Sequence, residues 1–159
     1  HAHTIQQALE NLFEDDRLRQ AAYDFRKTID YGGFLKHLTM EPGLVGLLDW
    51  MRGKFHTAIA TNRTDTMKHL LREFRLSDRF DYVVTSLDVE RPKPAPDALL
   101  KILAHFNAQP QQTLFVGDSE VDASTAHAAE VPFVAYRNPS LPADHFIDQL
   151  QDLRPLLER

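Results

Sequence analysis

Cysteine is absent from the 159 residues. No disulfide can form, no thiolate can hold a metal, and no thiol can act as a nucleophile. The absence fits a reducing compartment. No apolar run reaches the ~20 residues that a membrane-spanning helix needs, and no signal-peptide pattern opens the chain. A cytoplasmic protein without membrane contact is the expectation. The chain begins His1-Ala2-His3 rather than with methionine. An excess of basic charge is also lacking, since 18 Lys and Arg stand against 23 Asp and Glu, for a net charge of -5. A nucleic-acid surface usually needs a basic face, so nucleic acid is not expected as a partner. A small phosphorylated molecule stays open, because a few local cations or a metal suffice to bind it. There is no internal repeat and no low-complexity tract. The length allows one compact core with a small subdomain.

The pattern changes near residue 40. Before it, only helical spacing is visible. Thr4 to Gln7 has the form of a capping box, and Ile5, Ala8, Leu9, Leu12 and Phe13 recur at helical intervals. Asp15 or Asp16 can cap a second helix with Leu18, Ala21, Ala22, Phe25 and Ile29 on its apolar side, broken at Gly32-Gly33. A short segment over 34–38 follows. After Glu41-Pro42-Gly43, helical stripes alternate with short apolar runs. Strands are expected over 55–61, 82–85, 113–117 and 133–136. Helices are expected around 44–51, 67–74, 96–106 and 122–129, and in the tail over 149–157. Pro139 and Pro142 mark a loop. Alternation of this kind implies a parallel sheet covered by helices on both faces. The expected division is a helical subdomain over 1–40 and an α/β core over 41–159.

Three segments join the end of an expected strand to polar chemistry. They are Ile59-Ala60-Thr61-Asn62, Arg91-Pro92-Lys93-Pro94-Ala95-Pro96-Asp97, and Phe115-Val116-Gly117-Asp118-Ser119-Glu120-Val121-Asp122. In an open parallel sheet, ligands bind beyond the carboxyl ends of the strands. Thr61, Lys93 and Asp118 therefore fall on one rim. Thr61 can donate its hydroxyl to a phosphate oxygen, with the amides of Asn62 and Arg63 adding donors at a helix start. Lys93 is presented from a loop stiffened by Pro92 and Pro94. Asp118 and Asp122 lie four apart, so a helix starting at once would face both carboxylates to one side. Two hard oxygen ligands suit Mg²⁺. Taken singly, each segment has a plainer reading: Thr61 as a helix cap, Lys93 as a solvated lysine, Asp118 as a cap with Asp122 in the first turn. Their order and shared strand-then-loop context favour a phosphoryl-transfer rim.

Together the three segments resemble motifs two, three and four of the haloacid dehalogenase superfamily. The Lys93-Pro94-Ala95-Pro96-Asp97 string is similar to the branch of phosphoglycolate-phosphatase-like and beta-phosphoglucomutase-like proteins. The resemblance runs from about Pro42 to the end of the chain and implies a Rossmann-like core with a helical cap in residues 1–40. It further implies a Mg²⁺-dependent phosphatase acting on a small phosphorylated substrate through an aspartyl-phosphate. Thr61 would hold phosphoryl oxygens and Lys93 would balance charge. Asp118 would hold Mg²⁺ directly, Asp122 directly or through water, with Ser119 in support.

The first motif of that family, an Asp-x-Asp segment carrying the nucleophile, occurs nowhere in the sequence. The resemblance places its strand centrally, between those ending at Thr61 and Gly117. The residues given are therefore expected to leave a gap in the sheet, to be inactive by the family route, and to self-associate through the exposed edges. The favoured reading places the segment in the parent protein; the second has another chain supply it. The alternative is a noncatalytic binding or interaction module. Glu130 also departs from the family, where glycine ends the helix. His1, His3, Lys36, His37, His56 and His127 are not promoted to the site, and Trp50 and Phe25 are expected to pack.

Overall fold

The computed structural model describes residues 5–28, 33 and 37–158. Two helices open the chain, α1 (Ile5–Leu12) and α2 (Asp16–Thr28). Asp15 starts the second, its carboxylate accepting from the Arg17 amide at 2.7 Å and satisfying a donor that a helix start leaves open. Near the end of α2, Arg26 donates to Thr64 Oγ1 at 3.0 Å, which ties this helix to the core. Leu18 and Phe25 do not pack as expected; both are exposed, because no described element covers that side of α2. The Thr4 capping box, Ile29, Gly32, residues 34–36, His1 and His3 lie outside the described residues.

From Leu44, helices and strands alternate: α3 (Leu44–Met51), β1 (Ala58–Ala60), α4 (Thr66–Glu73), β2 (Tyr82–Val84), α5 (Asp97–Phe106), β3 (Phe115–Gly117), α6 (Glu120–Ala128), β4 (Phe133–Tyr136), β5 (His145–Ile147) and α7 (Arg154–Leu157). Single 3₁₀ turns occupy Pro110–Gln112 and Leu150–Leu153. Every strand pair is parallel, as expected when helices carry the chain back. Strand β5 is absent from the sequence expectation. Its three residues are too few to show alternation, and its place comes from pairing Val134 with His145 and Tyr136 with Ile147. The tail is a 3₁₀ turn before a single helical turn, not one helix. Residue 130, where the resemblance expects glycine, has Glu130 at φ 55, a left-handed conformation that glycine adopts at least cost.

The five strands among the described residues form two ladders, β1–β2 and β3–β4–β5. Ile59 pairs with Val83 in the first, and Val116 with Val134 in the second. Among the described residues no ladder joins β1 to β3. An apolar cavity of about 350 Å³ lies there, lined by Ala58 and Ala60 of β1, Phe115 and Val116 of β3, and Leu99 and Ile102 of α5. This is the gap the sequence places between the strands ending at Thr61 and Gly117.

Neighbouring side chains of β4 point to opposite faces. Phe133 and Ala135 join Val84, Leu99, Ile102 and Ala126 in one cluster. Val134 joins Leu47, Ile147 and Leu153 in another. Helices α5 and α6 therefore cover one face of the β3–β4–β5 ladder, and α3 with the tail covers the other. A third cluster packs Leu48 of α3 against Met67 and Leu71 of α4.

Candidate functional site

Thr61 follows β1 and extends its ladder by one bond, its amide donating to the Val84 carbonyl at 3.0 Å. Thr61 Oγ1 accepts from the Arg63 amide at 3.1 Å, which leaves the hydroxyl proton to donate elsewhere. Helix α4 starts only at Thr66. Asn62 and Arg63 are thus loop residues, not donors at a helix start, and the Arg63 amide is already used by Thr61. The Arg63 carbonyl accepts from the Ser86 amide at 3.1 Å, stapling the loop after β1 to the loop after β2.

The side chain of Asn62 is committed to the main chain of Lys93. Its Nδ2 donates to the Lys93 carbonyl at 2.9 Å, and its Oδ1 accepts from the Lys93 amide at 3.0 Å. Lys93 sits in a turn closed by the Ala95 amide donating to the Pro92 carbonyl at 3.1 Å. Arg91 and Asp97 brace that loop at its ends through a 2.7 Å ion pair. The Arg91 hydrogen bond holds the Asp97 carboxyl below its ordinary range. Beyond β2, the Thr85 hydroxyl and amide donate to Asp88 and likewise hold its carboxyl low.

Lys93 Nζ donates to Asp122 Oδ1 at 2.6 Å, with the two side chains only 12% and 10% exposed. Charges this far from water must be paired. Nζ also stands 5.6 Å from the Phe115 ring centre. The other oxygen of Asp122 accepts from Ser119 Oγ at 2.5 Å. Ser119 caps α6, its Oγ accepting from the Asp122 amide at 3.2 Å. Glycine at 117 is required for this arrangement: a Cβ there would stand 2.7 Å from Asp122 Cγ.

With Ser119 as the cap, Asp118 precedes the helix. Asp118 and Asp122 do not share a helix face: Asp118 is exposed and Asp122 is buried. The Asp118 carbonyl accepts from Asn138 Nδ2 at 3.0 Å. Among the described residues no hydrogen bond or ion pair reaches the Asp118 carboxylate, and no three His, Cys, Asp or Glu are grouped as a complete metal site. One open carboxylate on a rim fits Mg²⁺, which keeps several waters and takes its other oxygens from one further carboxylate and a substrate phosphate. Asp122 fits best behind that ligand, since both its oxygens already have donors.

Asn62, Lys93 and Asp122 are thus brought into direct contact, while Thr61 and Asp118 stand at the ends of β1 and β3. The roles of Asn138, Ser86 and the Arg91–Asp97 brace are not visible from the sequence. Asn138 stands before Pro139 and reads only as loop. Of the histidines left out of the site, His127 and His37 are exposed, and His56 stacks on Phe106 at 4.5 Å, at the opposite end of β1 from Thr61. Trp50 packs as expected, stacking on Phe55 at 5.7 Å.

Comparison with known proteins shows the family. Residues 2–136 match the family described as haloacid dehalogenase-like hydrolase. The chain is 34% identical over 110 residues to pyrophosphatase PpaX of Bacillus mycoides, covering 64% of this chain and 51% of the relative. It is 32% identical over 128 residues to phosphoglycolate phosphatase 1 of Pseudomonas aeruginosa, covering 74% of this chain and 47% of the relative. The chain therefore spans about half the length of the curated relatives it matches. A crystal structure of a HAD-superfamily hydrolase, subfamily IA, variant 1, from Geobacter sulfurreducens superposes with a TM-score of 0.83 at 41% identity, covering 87% of this chain and 71% of that one. With residues 2–136 of its length inside the matched region, the chain belongs to the haloacid dehalogenase-like hydrolase family.

Proposed function

We propose that this chain carries the greater part of a Mg²⁺-dependent phosphatase site acting on a small phosphorylated molecule through an aspartyl-phosphate. The observation that carries the reading is the Lys93–Asp122 pair at 2.6 Å, set on the rim where the strands leading to Thr61 and Asp118 end. A largely buried ammonium on that rim is suited to an incoming phosphate dianion. The names of the curated relatives, a pyrophosphatase and a phosphoglycolate phosphatase, support the same substrate class. We assign the protein to the cytoplasm and read residues 1–40 as a cap over the site.

The nucleophilic aspartate is not among these 159 residues. We place it on a strand seated in the cavity between β1 and β3. Its carboxylate attacks phosphorus as the P–O bond to the leaving alcohol breaks; the second aspartate of the same motif protonates that alcohol and then deprotonates the water that cleaves the aspartyl-phosphate to inorganic phosphate. Thr61 donates its hydroxyl proton to a phosphoryl oxygen. Lys93 offsets the charge of nucleophile and phosphate together. Asn62 fixes the Lys93 main chain, so its share in substrate binding falls to its own amide, and Arg63 offers its guanidinium. Asp118 would hold Mg²⁺, with Asp122 behind it, and the ion would supply neutralisation of charge on the phosphoryl group.

The test is the coding sequence ahead of His1, followed by p-nitrophenyl phosphate hydrolysis with Mg²⁺ by the protein that includes it. An Asp-x-Asp-Gly-Thr-like segment and turnover that falls at least ~100-fold in Lys93→Ala are expected, the scale of losing one preorganised charge-stabilising donor. No such segment, or no hydrolysis of any phosphomonoester, would overturn the enzyme and leave a noncatalytic interaction module.

A further inference from the structure

We propose that Asn138 is a positioning residue for the Asp118 carboxylate, an inference that rests on Asp118 as the Mg²⁺ ligand. The β3–β4 ladder ends with Gly117 opposite Ala135. Asp118 is the first residue beyond it, and the direction of its main chain decides where its carboxylate stands. On the following side, Ser119 is locked by its reciprocal bonds with Asp122. The Asp118 carbonyl, past the last ladder pair, takes its hydrogen bond from the Asn138 side chain at 3.0 Å. Asn138 is itself aimed, because its Oδ1 accepts from Ser140 Oγ at 2.7 Å. With oxygen so engaged, the amide nitrogen is the end that faces Asp118.

The turn that carries Asn138 is held without that bond. Arg137, at φ 51, donates its amide to the Ile147 carbonyl at 2.9 Å and its Nε to the Asp148 carbonyl at 2.9 Å. Its Nη1 pairs with Glu41 at 2.6 Å, and Tyr136 donates to the same carboxylate at 2.5 Å. Removing the Asn138 amide should therefore loosen the Asp118 loop and leave the turn in place. Groups that orient a metal ligand typically affect metal affinity by about 10–100-fold.

The experiment is a Mg²⁺ titration, with inorganic phosphate present, of the protein that includes the Asp-x-Asp segment, followed through the backbone amide resonances of residues 117–122. Wild type should shift saturably. Asn138→Leu, which keeps the size and removes the donor, should weaken Mg²⁺ binding at least ~10-fold with the resonances of β4 and β5 unmoved. Ser140→Ala, which frees the amide without deleting it, should weaken binding by roughly two- to fivefold, and it decides the matter if Asn138→Leu does not fold. Mg²⁺ affinity within twofold of wild type in the folded variants overturns the role of Asn138 alone. No Mg²⁺ response at residues 117–122 in wild type overturns the metal assignment, and this inference with it.

Discussion

The two ladders differ in tightness. In β4, Phe133, Val134 and Ala135 are 3%, 0% and 1% exposed, whereas in β1 and β2 only Val84 is fully buried. Strand β4 has a neighbour on each side and apolar clusters on both faces. Strand β1 has β2 on one side and the cavity on the other. The β1–β2 half is therefore joined to the β3–β4–β5 half by means other than a ladder. Below the rim, α5 does so through Leu99 and Ile102, which line the cavity between β1 and β3. On the rim, the link is polar: Asn62 after β1 grips Lys93 after β2, and Lys93 grips Asp122 after β3. The residues assigned to phosphate chemistry also hold the halves together, so stability and site geometry are coupled.

Breaking the polar link should have the largest effect. Lys93→Met strands Asp122 in a nearly dry setting with only Ser119 for company. It should lower unfolding free energy by about 3 kcal/mol, as measured by urea denaturation. The comparison sharpens inside the ladders: Val134→Ala should cost about 2 kcal/mol, and Val83→Ala, in the half-buried β2, less than half of that. A smaller effect separates the Glu41 segment from β4. The phenol of Tyr136 is pushed from its ordinary 10.0 to about 12, first by burial and then by its hydrogen bond to Glu41. A raised folded pKa means that this stabilisation is complete below pH 10.0 and is lost as pH climbs toward about 12. Tyr136→Phe should flatten the stability profile over that window and cost about 1 kcal/mol at neutral pH, read by denaturation at a series of pH values.

Much of this was legible in the sequence. The helical opening, the alternation after Glu41 and the rim placement of Thr61, Lys93 and Asp118 follow from periodicity and from the rule that parallel strands present their carboxyl ends together. What stayed hidden depends on contacts remote in sequence. Strand β5 exists because β4 offers an edge, not because His145-Phe146-Ile147 alternates. The pairing of Asp118 with Asp122 across one helix face fails because Ser119 takes the cap, which leaves Asp118 ahead of the helix while Asp122 bonds to Lys93. The side chain of Asn62, to which the sequence gives no role, matches the main chain of a loop 31 residues away. Asn138 carries no local signal at all.

The most direct test of the polar link is amide hydrogen exchange of the wild-type chain against Lys93→Met. The account predicts that protection falls first across β1 and β2, Ala58–Ala60 and Tyr82–Val84, while β3, β4 and β5 keep theirs. Equal loss in both ladders, or no loss in either, would contradict it.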